Sequence, residues 1–354
     1  MTGSKDSLPS VVEPAQAIIS SIRPSVKGKF IYTGDEKLFI RGVTYGPFRS
    51  DQNGNEFLNP DRVERDFAMM ARNRINAVRT YSDPPQWLLD IANKHGLYVM
   101  LGLDWEQHIT FLDDKSRTRD IVDRVKSSVN KHRGHPALLC YAVGNEIPSS
   151  IIRWYGHRRI EKFLRHLYDT AKTEDAEALL TYVNYPTTEY LNLFFLDLLC
   201  YNVYLESQQE FESYLSKLQI IAGDKPLVMS EIGLDSIRNG EEAQAKSIDW
   251  QIRTAFDAGC AGTFIFSWTD EWHRGGQDIG DWNFGITTAA RAPKQALSAV
   301  ERAYGEVPFP NHLNYPKISV VVCTYNGSRT IKQCLEWLTK LKYSNYEVIV
   351  VNDG

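Results

Sequence analysis

Leu138-Leu139-Cys140-Tyr141-Ala142-Val143-Gly144-Asn145-Glu146 decides the fold. An unbroken apolar run of strand length reads as a strand buried on both faces, the pattern of parallel sheets. It ends abruptly on an amide and a carboxylate. A second run, Leu227-Val228-Met229-Ser230-Glu231, also ends on a glutamate. Working outward, similar runs occupy 38–44, 76–80, 98–103, 179–183, 198–202 and 262–267, which with 138–144 and 226–230 makes eight. Helix-compatible patterns lie between and after them at 60–74, 84–95, 117–133, 152–173, 209–221, 241–258 and 292–304. Asn59 before Pro60 and Asp83 before Pro84 read as helix starts. The spacing, about 32 residues per unit, is close to the ~31 of eight βα units in a ~250-residue barrel. The expected fold is a (β/α)8 TIM barrel. Its weakest unit follows the fifth strand, where only 188–195 is available for a helix.

The 354 residues, 43% of them hydrophobic, suffice for such a barrel plus a smaller piece. Forty basic and 44 acidic residues leave a net charge of −4 without long charged blocks, so no nucleic-acid partner is expected. No secretory signal and no apolar run of membrane-spanning length is visible. The five cysteines are odd in number and widely spaced, as expected of reduced residues, and a cytoplasmic location is expected. We divide the chain into an N-terminal extension (1–28), the barrel (29–305), a linker (306–315) and a second α/β fragment (316–354). A hairpin at 30–40, turning at Thr33-Gly34-Asp35, is placed to plug the N-terminal mouth of the barrel.

Functional groups in a parallel barrel gather at the C-terminal ends of the strands. Glu146 ends the fourth strand and Glu231 the seventh, so both face one mouth. Cleavage of a glycosidic bond needs such a pair, one carboxyl protonated to assist the leaving oxygen and the other ionised to attack or stabilise the anomeric centre. The plainer alternative for a strand-end glutamate is a helix cap or an ion pair with a barrel arginine.

Gly144-Asn145-Glu146 on the fourth strand and Ser230-Glu231-Ile232-Gly233 on the seventh resemble glycoside hydrolase clan A. So do Arg41-Gly42-Val43-Thr44-Tyr45, Asn76-Ala77-Val78-Arg79-Thr80-Tyr81, Tyr201-Asn202-Val203-Tyr204 and Phe266-Ser267-Trp268, each on the corresponding strand. Within the clan, the β-galactosidase/β-glucuronidase and β-1,3-glucanase families look most similar. The resemblance implies a retaining enzyme with Glu146 as acid/base and Glu231 as nucleophile. Asn145 would then meet a sugar hydroxyl, Arg79 and Tyr204 would hold Glu231, and Trp268 would floor a sugar ring. Sugar rings have apolar C–H faces, so Tyr45, Tyr81, Trp105, Tyr185, Trp272 and Trp282 are candidates to extend that surface. For Trp268, Tyr204 and Tyr45 the alternative is ordinary packing.

After the third strand, alternation puts Asp104, Glu106 and His108 on one side of an extended segment. No second histidine or cysteine pair accompanies them at ligand spacing, so contacts from Asp104 or Glu106 to sugar hydroxyls are expected rather than a metal site. No cofactor is expected for the barrel. His95, His132 and His135 sit at helix ends and are expected to be solvated.

Val322-Cys323-Thr324-Tyr325-Asn326 and Val350-Val351-Asn352-Asp353-Gly354 resemble the first βαβ unit of glycosyltransferase family 2, a GT-A-like fold. The resemblance implies a nucleotide-sugar site at Thr324, Tyr325 and Asp353. The divalent metal of such enzymes would need aspartates further along than Gly354, so these residues are expected to have no transferase activity. Taken together, the expected partner is an oligo- or polysaccharide, specifically a β-glucan-like chain made by the fused transferase. The barrel would hydrolyse or transfer it, or, as the alternative, bind and guide it without cleavage.

Overall fold

A computed structural model describes residues 19, 22–52, 56–57, 59–309, 315–341, 343 and 345–354. Most of the expected extension (1–18, 20 and 21) and half of the expected linker (310–314) lie outside them. The chain divides into two compact units, Met1–Pro308 and Phe309–Gly354.

The first unit opens with a small antiparallel sheet of β1 (Pro24–Lys27), β2 (Phe30–Thr33) and β3 (Glu36–Lys37). The expected hairpin is therefore the outer part of a three-stranded sheet. Ile31 is fully buried, and Lys29 donates to Gln219 Oε1 at 2.8 Å, beside the C-terminus of the helix Gln208–Ala222. This sets the sheet at the N-terminal end of the barrel.

Eight parallel strands then close on themselves: β4 (Ile40–Thr44), β5 (Ala77–Arg79), β6 (Tyr98–Gly102), β7 (Leu138–Asn145), β8 (Leu180–Asn184), β9 (Leu199–Asn202), β10 (Leu227–Ile232) and β11 (Gly262–Ile265). The closing seam pairs β11 with β4 and depends on two glycines. A Cβ on Gly262 would sit 2.3 Å from Ile40 Cβ, and one on Gly42 2.2 Å from the Phe264 ring. No side chain fits at either position.

Helices α1 (Pro60–Arg72), α2 (Gln86–Lys94), α3 (Lys115–His132), α4 (Ser149–Tyr155), α5 (His157–Glu174), α6 (Gln208–Ala222), α7 (Ser236–Asn239), α8 (Glu241–Asp257) and α9 (Gln295–Glu306) accompany the barrel. α5 shows why: Ile160, Phe163, Leu164, Leu167 and Ala171 recur at helical spacing and are buried on one stripe. Asn59 caps α1 by accepting from Arg62 N–H, as its position predicts. The helix expected at 152–173 is two helices, because Gly156 at φ 79° breaks it.

Asp83 is not a cap. Pro84 is followed by Pro85, which disfavours helical backbone at Pro84, so α2 starts only at Gln86. Asp83 instead pairs with Lys131 at 3.0 Å and His132 at 2.6 Å. His132 is buried, and His95 and His135 are tied to Glu64 and Asp90, so these histidines are structural rather than solvated. After β8 the chain makes a single 3-10 turn, Pro186–Thr188, in place of the weak helix.

The second unit pairs β14 (Ile318–Thr324) with β15 (Tyr346–Asn352) in parallel, connected through α10 (Ile331–Leu338). Two short strands in the loop after β11, β12 (His273–Arg274) and β13 (Gln277–Asp278), complete the numbering. No helix among the described residues is long and apolar enough to cross a membrane.

Candidate active site

The C-terminal mouth of the barrel holds a cleft of about 1020 Å³. Glu146 and Glu231 both line it, with Tyr81, Asn145 and Tyr204. Register brings them there. Arg79 stands beside Thr44 at the end of β5, and Glu231 beside Asn202 across β10 and β9. β7 shifts register between Ala142 and Asn145, and Glu146 then turns at φ 50°. Left-handed backbone at a non-glycine residue costs of order 1 kcal/mol or more, and such residues cluster at functional sites. Here two hydrogen bonds hold the turn: Glu146 N–H to Val183 O at 2.9 Å, and Ile147 N–H to the Tyr182 hydroxyl at 2.8 Å.

Glu231 is a pure acceptor. Arg79 Nη1 donates to its Oε1 at 2.9 Å, the Tyr81 hydroxyl to the same oxygen at 2.8 Å, and the Tyr204 hydroxyl to Oε2 at 2.5 Å. Burial, followed by the charge of Glu231, pushes both phenols well above the usual tyrosine value, so they stay donors. Arg79 is itself fully enclosed and forks: Nη1 also reaches Ser230 O at 2.8 Å and Asn202 Oδ1 at 3.1 Å, and Nη2 reaches Asn145 Oδ1 at 2.7 Å. Glu146 is held differently. Burial first, then the neighbouring Glu231, push its carboxyl up to about 7, against one side-chain donor among the described residues, Asn202 Nδ2 at 2.9 Å. One carboxyl is surrounded by donors; the other is biased toward its protonated form.

An aromatic wall flanks the pair. Tyr81 meets Trp272 edge-on at 5.2 Å between centroids, and Phe266 packs against Trp272, Trp282, Phe284 and Tyr204 at 4.8 to 6.0 Å. Across the mouth, Arg274 Nη2 lies 3.2 Å from His108 Nε2.

Several sequence-predicted residues do not reach this cleft. Trp268 is fully buried, its backbone fixed between Thr44 O and Thr287, so Phe266, Trp272 and Trp282 form the aromatic surface instead. Tyr45 is also core: its hydroxyl donates to Asp66 Oδ2 at 2.8 Å and its ring packs on Phe48 and Phe67. Trp105 donates to Val143 O at 2.8 Å from within the core, and Tyr185 accepts from Ser149 N–H at the start of α4. Alternation after β6 holds, with Trp105 and Gln107 inward and Asp104, Glu106 and His108 outward. Asp104 and His108 line the cleft, whereas Glu106 turns away to pair with Arg124 at 2.5 Å. Among the described residues no group of three or more histidines, cysteines or acids could hold a metal ion.

Asn202, Ser230, Gln107, Phe266 and Phe284 also belong to the site, and position at a strand end does not single them out. Asn202 and Ser230 were visible as polar interruptions late in apolar strands. Gln107, whose Oε1 accepts the Asn145 N–H at 2.8 Å, and Phe284 lie in loops where nothing marks them. In the second unit Thr324 and Asp353 meet at the strand ends, Asp353 N–H donating to Thr324 O at 3.0 Å, and Tyr325 is exposed beside them.

Comparison with known proteins places this geometry in context. Residues 25–309 match the TIM barrel domain of glycosyl hydrolases family 2, and residues 319–354 match glycosyl transferase family 2. A β-galactosidase of Vibrio cholerae is 23% identical over 316 residues, 80% of this chain and 28% of the relative. A 1,3-β-glucanosyltransferase, gel1 of Aspergillus fumigatus, is 26% identical over 135 residues, 35% of this chain and 28% of the relative. Among solved structures, a β-galacturonidase from Eisenbergiella tayi superposes with a TM-score of 0.69 at 19% identity, covering 82% of this chain and 55% of that one. A β-glucuronidase from Ruminococcus gnavus gives 0.66 at 16%, covering 81% and 53%. The chain thus spans under a third of these two relatives' length and about half of each solved chain.

Proposed function

The chain belongs to glycosyl hydrolases family 2 through its TIM barrel domain, and from that premise we propose that it is a retaining β-glycoside hydrolase or transglycosylase, with Glu146 as general acid/base and Glu231 as nucleophile. The observation that carries this is the unlike treatment of two carboxyls in one cleft: three donors on Glu231, and a protonation-favouring site around Glu146.

In the first step Glu231 attacks the anomeric carbon while Glu146 gives its proton to the glycosidic oxygen. The C–O bond breaks, the leaving sugar departs as an alcohol, and a glycosyl ester remains on Glu231. Glu146, now ionised, takes a proton from water or from a sugar hydroxyl, whose oxygen attacks the same carbon and frees Glu231. Two inversions give net retention. Water yields hydrolysis; an acceptor sugar yields transfer.

For the substrate we propose a β-glucan-like chain supplied by a fused glycosyltransferase. The cleft volume suits several sugar units rather than one, its aromatic wall suits the C–H faces of pyranose rings, and the chain continues into a segment similar to glycosyl transferase family 2. A relative named as a glucanosyltransferase supports transfer as a serious outcome. In a complete transferase, Thr324, Tyr325 and Asp353 would face the nucleotide sugar. The test is product analysis by mass spectrometry after incubating wild type and Glu231→Ala with β-glucan, β-galactoside and β-glucuronide oligosaccharides. Products from wild type alone support the proposal. Equal products from both, or binding without turnover by wild type, overturn it, and the second outcome favours a barrel that only guides the glycan.

A further inference from the structure

Asn202 occupies the centre of the site without lining the cleft. It is 2% exposed and sits at the end of β9, in register with Glu231. The orientation of its amide follows from chemistry. Oδ1 lies 3.1 Å from Arg79 Nη1 and 2.9 Å from Ser230 Oγ, and Nδ2 lies 2.9 Å from Glu146 Oε1 and 3.3 Å from Asn145 Oδ1. A guanidinium can only donate, so the atom facing it must be the oxygen. The opposite atom is then an N–H group facing two acceptors. Flipping the amide would set N–H against guanidinium and oxygen against oxygen.

We infer that Asn202 is a positioning residue that reserves Glu146 Oε1 as an acceptor and so places the acid/base proton on Oε2. This rests on the proposed roles of Glu146 and Glu231. A protonated carboxyl has one acceptor carbonyl oxygen and one hydroxyl. With a fixed N–H aimed at Oε1, the hydroxyl is Oε2, which is left to meet the glycosidic oxygen. After transfer, the same N–H stabilises the ionised carboxylate that must collect a proton in the second step. Because the Asn202 carbonyl is held by Arg79, which also grips Glu231, one rigid relay sets both carboxyls. Ser230 Oγ completes the clamp without touching either carboxyl.

The experiment compares wild type with Asn202→Asp, Asn202→Ala and Ser230→Ala. Asn202→Asp keeps an oxygen toward Arg79 and Ser230 but replaces the N–H facing Glu146 with an acceptor. The first readout is the titration of Glu146 by carboxyl carbon NMR, assigned with Glu146→Gln, which needs no turnover. Loss of the donor moves the Glu146 midpoint upward in Asn202→Ala by about half to one pH unit, and further in Asn202→Asp. The second readout is kcat against leaving-group acidity on aryl glycosides. We expect a steeper dependence in both Asn202 variants, with poor leaving groups losing ten-fold or more relative to activated ones and KM changing little. Ser230→Ala gives the same pattern in weaker form. An unchanged Glu146 midpoint in folded Asn202→Asp overturns the inference, even if the catalytic proposal stands. Absence of turnover by wild type, together with a shifted midpoint, would instead count against the catalytic proposal and leave the relay in place.

Discussion

Arg79 Nη1 lies 2.9 Å from Glu231 Oε1, and the two residues are only 2% and 6% exposed. The ion pair with a barrel arginine, the plainer role open to a strand-end glutamate, is thus present, and its carboxylate, Glu231, lines the cleft. Removing one partner of a buried pair leaves the other charge without compensation, typically at about 3–5 kcal/mol. Arg79→Ala is therefore expected to lose stability in that range and to lose activity entirely. Arg79→Lys should recover part of the stability and little of the activity, because an ammonium cannot fork between Glu231 and Asn145. Denaturant melts beside kcat/KM measurements check both. A neutral Arg79→Ala would contradict the geometry.

The raised carboxyl of Glu146 makes two pH predictions. Acid assistance needs the protonated form, so the basic limb of kcat/KM should fall near pH 7 and disappear in Glu146→Gln. For stability, a carboxyl whose folded value lies above its unfolded one binds protons more tightly when folded. Its contribution is full below the unfolded value near 4.5 and is lost as pH rises through about 7. Glu146→Gln should thus raise Tm relative to wild type at pH 8 and not at pH 4. Thermal melts at the two pH values decide it, and an equal change at both would contradict the assignment.

Two tryptophans separate the cleft from the core. Trp272 lines the cleft, and Trp272→Ala is expected to raise KM for oligosaccharides several-fold with a modest stability change. Trp268, fully buried, should instead cost about 3–5 kcal/mol on truncation. Melting curves and binding of oligosaccharides to the two variants provide the contrast; the reverse pattern would show the aromatic surface to be misplaced.

The contrast also shows what the sequence makes legible. Strands buried on both faces must be continuous apolar runs, and those of β7 and β10 are unmistakable in the chain; their terminal glutamates then follow from the rule that strand ends converge. What periodicity does not encode is which side of a strand-end aromatic meets the cleft. Trp268 and Tyr45 are captured by core contacts, and Phe266, two residues earlier than Trp268, takes the cleft position. Loop residues such as Gln107 and Phe284 depend on long-range closure and leave no local signal. Asp83 failed as a cap for a local reason, the second proline.

Tyr45 provides a check on that core assignment. Its hydroxyl and the Arg291 guanidinium share Asp66, at 2.8 Å and 3.3 Å. Tyr45→Phe is expected to cost about 1–3 kcal/mol by leaving part of a buried carboxylate unsatisfied, with KM for oligosaccharides unchanged. A KM increase without destabilisation would return Tyr45 to the sugar-binding surface.

The central claim is that Glu231 bonds covalently to the sugar. The direct measurement is peptide mass spectrometry after incubation with 2-deoxy-2-fluoro glycosyl fluorides of the glucose, galactose and glucuronic acid series, which slow the second step more than they prevent the first. The account predicts one added glycosyl mass on the peptide carrying Glu231 in wild type and none in Glu231→Ala. Turnover without any adduct, or an adduct on another residue, would contradict it.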